Sequence, residues 1–274
     1  MLRDYQIEMK TRLMEAWKAH RSVMVQMPTG TGKTHLLASV VSEFVSSAGS
    51  GVWLIAHRRE LVAQMEETLA KYGIRREDTP VRVMSVQWLS RHWNEAGDAP
   101  GLIVIDEAHH ALAASYTEMW KRYPAAKKLG VTATPCRLNR RGFTELFEVL
   151  VTSWSIAEFI EKGVLSVFDY VSIRPGSEEQ RLIDGLEKRG ADGDYQVKEM
   201  DAVLNRRPGI ERLYRSVRQF ASGKKGMVYA ISIEHARRIA EYYSRWGVNA
   251  VAVDSKTPAM ELSLIHISEP TRPR

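Results

Sequence analysis

The sequence predicts an α/β fold built on a doubly wound parallel sheet, followed by a second, incomplete unit of the same class. Three observations indicate this. Apolar runs alternate with helical patterns, which is typical of a parallel sheet with helices on both faces. A glycine-rich turn follows the first run, and an acidic pair follows the fourth. Parallel sheets bind ligands at the carboxyl ends of their strands, so the turn and the acidic pair are candidates for one site.

The first unit contains five predicted strands, at 22–26, 51–56, 81–85, 101–105 and 128–133. Its helical patterns cover 5–20, 33–47, 59–72, 111–122 and 155–162. Gly163 is placed to end the last of these helices, because glycine is common just after a helix. Residues 164–173 are then expected to form the strand that enters the second unit.

Within the second unit, residues 177–204 are rich in charged side chains, and they predict an exposed helical stretch with a break near 190–193. Residues 226–232, 234–246 and 248–253 predict a β-α-β unit. Such a unit would begin a second parallel sheet.

A candidate phosphate-binding loop, Met-Pro-Thr-Gly-Thr-Gly-Lys-Thr, occupies residues 27–34 between a strand and a helix. Gly30 and Gly32 allow the backbone N–H groups to point at phosphate oxygens, and the helix start adds its positive dipole end. Lys33 can reach the β- and γ-phosphates, and the Thr34 hydroxyl can bind Mg²⁺. The general pattern has glycine where this chain has Met27. A solvated turn with an incidental lysine is the alternative, which the strand–turn–helix order disfavours.

The fourth apolar run ends in an acidic pair, Asp106 and Glu107. Asp106 is placed to hold Mg²⁺ through water, and Glu107 to polarise an attacking water. A helix cap with first-turn dipole pairing is the alternative, which the preceding phosphate loop disfavours. The fifth run leads into Thr-Ala-Thr-Pro at 132–135, which is ordinary turn chemistry unless it is taken with the other two motifs.

In this order the motifs resemble those of a superfamily 2 helicase of the DEAD/DEAH-box type. Within that group the chain is similar to bacterial and phage DNA helicases related to the motor subunits of restriction enzymes. The segments that carry the resemblance are 2–6, 27–34, 55–64, 84–87, 106–109, 132–135 and 227–236. It implies a RecA-like, ATP-hydrolysing lobe over residues 1–163 and a partial second RecA-like lobe over 164–261, with hydrolysis coupled to movement of the lobes along a nucleic-acid strand.

The resemblance also implies roles for individual residues. Gln6 would contact adenine, and Lys33, Asp106 and Glu107 would be catalytic. The positions implied for binding ATP and Mg²⁺ are Gln6, Thr29, Gly30, Thr31, Gly32, Lys33, Thr34 and Asp106, with Thr34 and Asp106 as the metal contacts. The positions implied for coupling hydrolysis to movement are His109, Thr132 and Thr134. Those implied for contacting the nucleic-acid backbone are His57, Arg58, Arg59, Ser85 and Gln87.

Composition agrees with a nucleic-acid partner, because a net charge of +6 favours a polyanion. The resemblance favours DNA over RNA, and it allows protein partners in a restriction or repair complex. The single cysteine, Cys136, permits no disulfide within the chain and favours the cytoplasm. The sequence shows no secretory signal and no apolar run of membrane-spanning length. Trp88 and Trp93 flank a basic pair, Arg91 and His92, and both base stacking and core packing stay open for them.

The last residues do not match the family. Helicases of this type have further motifs, V and VI, in the second lobe, and nothing of that kind follows Asp254. Residues 262–272 resemble the translation of a transposase adapter used for sequencing libraries, so residues 262–274 are expected to be non-native and the reading frame truncated. The main hypothesis is an ATP-dependent helicase or translocase. The alternatives are a catalytically deficient nucleotide- and nucleic-acid-binding fragment, and the motor subunit of a restriction or repair complex.

Overall fold

A computed structural model describes residues 2–57, 59–75, 77–110, 114–135, 143–171, 177–187 and 195–258. The chain divides into two compact units, Met1–Phe168 and Asp169–Arg274. The domain boundary expected after residue 163, and the 164–261 extent of the second lobe, stay predictions. The expected adapter-derived tail, 262–274, lies outside the described residues. Within the described part of the chain, no helix is both long and apolar enough to cross a membrane.

The first unit alternates strands and helices, as predicted. Its strands are β1 (Ser22–Gln26), β2 (Val52–Ala56), β3 (Val81–Ser85), β4 (Leu102–Asp106), β5 (Lys127–Thr132) and β6 (Val149–Thr152). Its helices are α1 (Asp4–Ala19), α2 (Lys33–Ala48), α3 (Arg59–Ala70), α4 (Val86–Leu89), α5 (Ala114–Arg122) and α6 (Ile156–Glu161). Five strands were predicted to within two residues, and β6 was not predicted.

The six strands form one sheet in the order β3-β2-β4-β5-β1-β6, and every neighbouring pair is parallel. This confirms the predicted α/β class with a doubly wound parallel sheet. The register sets Gln26 beside Thr132 and Asp106 beside Val131. The carboxyl ends of β1, β5 and β4 are therefore adjacent.

Both faces of the central strands β2 and β4 are buried, which explains why these two strands are nearly continuous apolar runs. Alternate residues of a strand point to opposite faces. Val23 and Val25 accordingly join one apolar cluster with α1 and α2, whereas Met24 joins a second cluster with α4 and α5. Helix α1 packs on the first face through Tyr5, Met9, Leu13 and Trp17, spaced four residues apart. Helices therefore pack against both faces of the sheet.

The second unit differs from the prediction in its strands. Its helices are α7 (Ser177–Asp184), α8 (Val197–Leu204), α9 (Arg207–Phe220) and α10 (Ile233–Arg245), around a small core of Ile210, Ile239 and Tyr243. The described parts of 164–173, 226–232 and 248–253 form no strand ladder, so these three strand predictions are wrong at the level of backbone pairing. A strand needs a neighbour to satisfy its N–H and C=O groups, and apolar character alone does not supply one. The predicted break near 190–193 lies outside the described residues.

Candidate functional site

The three predicted motifs meet at one edge of the sheet. The residues after β1, β4 and β5 continue from adjacent strand ends, because β5 lies between the other two strands. The Met27 N–H donates to the Thr132 carbonyl oxygen at 3.0 Å, and Gln26 Nε2 donates to the Ala133 carbonyl oxygen at 3.5 Å. The candidate phosphate loop is thus hydrogen-bonded directly to the Thr-Ala-Thr-Pro segment.

Two glycines set the shape of the phosphate loop. Gly30 and Gly32 have φ values of 84° and 81°, a left-handed conformation that favours glycine. Gly32 is the N-cap of α2, so the helix begins at Lys33 with its unpaired N–H groups at the loop. The buried Thr31 hydroxyl donates to the Pro28 carbonyl oxygen at 2.7 Å, and Lys33 Nζ donates to the Met27 carbonyl oxygen at 3.4 Å. The loop is ordered by its own hydrogen bonds, with the lysine ammonium folded across it.

Helix α1 holds the same loop from the other side. The Tyr5 hydroxyl donates to the Thr31 carbonyl oxygen at 2.8 Å, and Gln6 Nε2 donates to the carbonyl oxygens of Thr31 and Gly32, both at 3.1 Å. Gln6 Oε1 accepts from the Arg3 N–H at 2.8 Å. Gln6 therefore uses both amide hydrogens to position the phosphate loop, and its expected contact with adenine stays a prediction.

Tyr5 was missed at the sequence level, where nothing distinguishes it from an ordinary core aromatic. Its ring packs against Phe159 and Trp154, with centroids 5.1 Å and 5.5 Å away. These contacts come from the segment after β6, which contains Trp154 and the predicted helix α6. The hydroxyl at the far end of a fixed ring is therefore held against the loop backbone.

The acidic pair lies at the end of β4. Burial raises the pKa of the Asp106 carboxyl, an effect opposed by the hydrogen bond that its Oδ1 accepts from the Glu107 N–H at 2.9 Å and by the positive charge of Lys33. The ammonium of Lys33 is therefore near enough for its charge to act on Asp106. Glu107 has a φ of 49°, a left-handed conformation that costs a non-glycine residue about 1–3 kcal/mol. Such strain is concentrated at functional sites.

A polar network joins the acidic pair to β5. His109 Nδ1 lies 2.9 Å from Thr132 Oγ1 and 3.4 Å from Glu107 Oε2. Thr132 Oγ1 also accepts from the Thr134 N–H at 3.1 Å and donates to the Thr134 carbonyl oxygen at 3.2 Å. Thr132 is fully buried, so these bonds are shielded from water. The three residues assigned to coupling by resemblance are therefore in one hydrogen-bonded chain, and its His109 member lies beside Glu107.

The residues assigned to nucleic-acid binding lie further along the same edge, after β2 and β3. Gln87 Nε2 donates to the His57 carbonyl oxygen at 2.6 Å, and Ser85 Oγ accepts from the Trp88 N–H at 3.2 Å as the N-cap of α4. The structure thus brings His57, Ser85 and Gln87 together. Arg58 lies outside the described residues, and Arg59 begins α3 with a side chain that is not described. Their contacts with nucleic acid stay predictions.

The donors at this site fit Mg²⁺ in the company of phosphates. In the part of the chain that the structure describes, no three His, Cys, Asp or Glu residues form a metal cluster. Mg²⁺ is commonly bound by one or two carboxylates, with water and substrate phosphates completing its octahedron. Asp106 at the strand end and the exposed Thr34 at the start of α2 form a donor set of that kind.

Comparison with protein families matches residues 1–137, half of the chain, to ResIII, described as "Type III restriction enzyme, res subunit". The chain belongs to this family. The matched ResIII region contains the phosphate loop, the acidic pair and the Thr-Ala-Thr-Pro segment. The predicted relation to superfamily 2 helicases and to restriction-enzyme motor subunits is thereby confirmed.

Three curated relatives of this ResIII chain illustrate how much sequence identity and length it shares with known proteins. A "51.5 kDa protein" of a Lactococcus phage is 28% identical over 240 residues, 87% of this chain and 50% of the relative. The "DNA 3'-5' translocase XPB2" of Sulfurisphaera tokodaii is 28% identical over 205 residues, 69% of this chain and 44% of the relative. The "Type I restriction enzyme EcoAI endonuclease subunit" of Escherichia coli is 23% identical over 269 residues, 86% of this chain and 33% of the relative. The chain therefore spans half or less of the length of these relatives.

Proposed function

We propose that this chain is the ATP-binding part of a nucleic-acid translocase or helicase, which hydrolyses Mg-ATP at the carboxyl edge of the first unit. One observation carries the proposal. The parallel sheet places the phosphate loop, the Thr-Ala-Thr-Pro segment and the acidic pair on adjacent strand ends, with Lys33 acting electrostatically on Asp106. Phosphoryl transfer needs positioning and charge stabilisation at one point, and this arrangement supplies both.

Each residue then has a defined task. The loop N–H groups and Lys33 bind the β- and γ-phosphates, and Tyr5 and Gln6 keep the loop in the conformation that allows it. Thr34 and Asp106 would hold Mg²⁺, which when bound would neutralise charge on the phosphates. Glu107 accepts the proton of the attacking water, at a strand end where its strained backbone is fixed.

Coupling is assigned to the network of His109, Thr132 and Thr134. Because His109 lies within 3.4 Å of Glu107 and 2.9 Å of Thr132, a change in charge at Glu107 alters the hydrogen bonds of the β5 loop. That loop is bonded to Met27 at the base of the phosphate loop. The state of the bound nucleotide and the contacts with the nucleic-acid strand can thus act on one polar network.

The polymer is a nucleic acid, and we favour DNA over RNA. The chain is basic, and the named relatives include a DNA translocase and a restriction endonuclease subunit. The residues at the ends of β2 and β3, His57, Ser85 and Gln87, would contact the strand on the same edge that binds ATP. With one cysteine in 274 residues, a reducing cytoplasm suits the protein.

A motor subunit within a restriction complex is a second candidate, favoured by the ResIII match and by the similarity to the EcoAI subunit. It would share the ATP chemistry and differ in its protein partners. Co-purification with a methylation or nuclease subunit encoded beside it would distinguish this candidate from a free-standing helicase.

Steady-state ATP hydrolysis tests the proposal. We expect hydrolysis that requires Mg²⁺, increases with single-stranded DNA more than with RNA, and is abolished by Lys33→Ala. Lys18→Ala is the control, because Lys18 is exposed on α1 and pairs with Glu15. Mg-ATP binding without hydrolysis would favour the catalytically deficient alternative, and full hydrolysis by Lys33→Ala would refute the site.

A further inference from the structure

The structure separates Trp88, which lies within α4, from Trp93, which follows it. Trp93 packs against Tyr123 and the second apolar cluster, and the Arg122 guanidinium lies 5.0 Å from its ring centroid. Trp88 is 37% exposed on the outer surface of α4, although the neighbouring Val86 and Leu89 are buried. Core packing therefore accounts for Trp93 and leaves the exposure of Trp88 unexplained.

Trp88 is held in a fixed position. Its indole stacks on the His92 imidazole, with ring centroids 4.9 Å apart and planes only 10° from parallel. His92 Nδ1 lies 2.8 Å from the Trp88 carbonyl oxygen, and the Trp88 N–H donates to Ser85 Oγ. The aromatic surface is thus ordered before any ligand arrives, which reduces the entropy lost on binding.

The surroundings of Trp88 are polar and basic. Its neighbour Gln87 is exposed and is bonded to the His57 carbonyl oxygen, which ties α4 to the end of β2. Arg91 is exposed one helical turn away. Single-strand binding sites combine aromatic rings, on which bases stack, with basic groups that attract phosphates. An apolar protein partner would instead require a wider apolar surface than this one indole.

We propose that Trp88, supported from behind by His92, is a stacking platform for a base of a single-stranded nucleic acid at the carboxyl edge of β2 and β3. The inference rests on the proposed function, because it needs a strand to pass along this edge. It adds a base contact to the backbone contacts expected of His57, Ser85 and Gln87. Stacking is tolerant of sequence, since every base has an aromatic face.

The test compares two strands that differ only in their bases. The full chain is titrated into a labelled oligodeoxythymidine and into an abasic deoxyribose-phosphate strand of equal length, with binding followed by fluorescence anisotropy. We expect Trp88→Ala to lose at least about fivefold in affinity for the thymidine strand. It should bind the abasic strand with the affinity of the wild type. Trp88→Phe should keep most of the affinity, and His92→Ala should lose part of it.

Ile156→Ala is the matched control, because it also removes an exposed apolar side chain from the first unit, and it should change neither affinity. The inference is overturned if Trp88→Ala and the wild type bind the thymidine strand with equal affinity. It is also overturned if Trp88→Ala loses the same factor in affinity for both strands. A wild type that hydrolyses ATP but shows no preference for the base-bearing strand would also overturn it. Failure of the wild type to bind either strand would refute the proposed function itself, and the stacking platform with it.

Discussion

Replacing Gly32 by alanine should disable the phosphate loop through two effects that the structure separates. Gly32 has a φ of 81°, which alanine rarely adopts. A Cβ at this position would lie 2.5 Å from Gln6 Nε2, well inside van der Waals contact. The Gln6 amide would have to move, and its hydrogen bonds to the carbonyl oxygens of Thr31 and Gly32 would be lost.

The magnitude follows from adding these effects. The left-handed conformation costs an alanine about 1–2 kcal/mol. The two lost hydrogen bonds contribute about 1 kcal/mol each. The loop geometry that binds phosphate is therefore destabilised by about 3–4 kcal/mol, which corresponds to more than about a 100-fold loss in nucleotide affinity.

Titration of a fluorescent ATP analogue in the presence of Mg²⁺ measures this loss. Gly49→Ala is the matched control, because Gly49 also has a left-handed φ, 62°, at the other end of α2, but a Cβ there would meet no atom within 4 Å. It should reduce the free energy of unfolding by about 1–2 kcal/mol and leave nucleotide affinity unchanged. Gln6→Ala removes the clashing group, so Gly32→Ala should cost less affinity in that background than in the wild type.

Two results would refute this reasoning. One is a Gly32→Ala variant that binds the analogue within about fivefold of the wild type. The other is a Gly49→Ala variant that loses as much nucleotide affinity as Gly32→Ala. That result would mean that backbone strain at either end of α2 is enough to lower the affinity.

Three further predictions address hydrolysis, coupling and stability. Glu107→Gln should bind Mg-ATP normally and lose about 10²–10⁴-fold in turnover, because the proton acceptor is removed; single-turnover kinetics check this, and near-normal turnover would contradict it. Thr132→Val should reduce the stimulation of ATP hydrolysis by DNA, because its hydroxyl joins His109 to the β5 loop, whereas Thr132→Ser should retain it; equal stimulation in both variants would argue against the network. Burial, and next the charge of Arg21, lower the pKa of Lys128 below its usual 10.5. The folded chain therefore loses this proton at a lower pH than the unfolded chain, and the wild type should gain stability relative to Lys128→Met as pH rises towards 10.5. Urea unfolding over that range measures the difference in the free energy of unfolding between the wild type and Lys128→Met. A difference that does not change with pH would contradict the lowered pKa of Lys128.

The site was largely predictable because it lies where local rules and the sheet agree. The phosphate loop needs two glycines with positive φ between a strand and a helix, and Gly30 and Gly32 show that pattern in the sequence. The acidic pair follows a buried strand, and parallel pairing brings that strand end next to the loop. What the sequence could not show is the support from α1, because a hydrogen bond such as that of the Tyr5 hydroxyl depends on tertiary packing.

The elements that were missed have physical reasons. β6 is a four-residue apolar stretch, and periodicity does not distinguish so short a run from a helix. α9 begins with Arg-Pro-Gly, which favours a turn, although Ile210, Leu213, Tyr214 and Val217 follow helical spacing and could have identified it. The predicted strands at 226–232 and 248–253 are apolar, but Met227 and Tyr229 are 73% and 90% exposed. Sequence shows which segments suit a strand, and pairing depends on neighbours that it does not show.

The central claim is that the loop after β1 and the acidic pair after β4 form one Mg-ATP site. A crystal structure of the protein with Mg²⁺ and a non-hydrolysable ATP analogue tests it most directly. We predict that Lys33 Nζ leaves the Met27 carbonyl oxygen for the β- and γ-phosphates, and that Mg²⁺ lies between the Thr34 hydroxyl and Asp106. Nucleotide bound away from this edge, or phosphates without contact to Lys33, would contradict the claim.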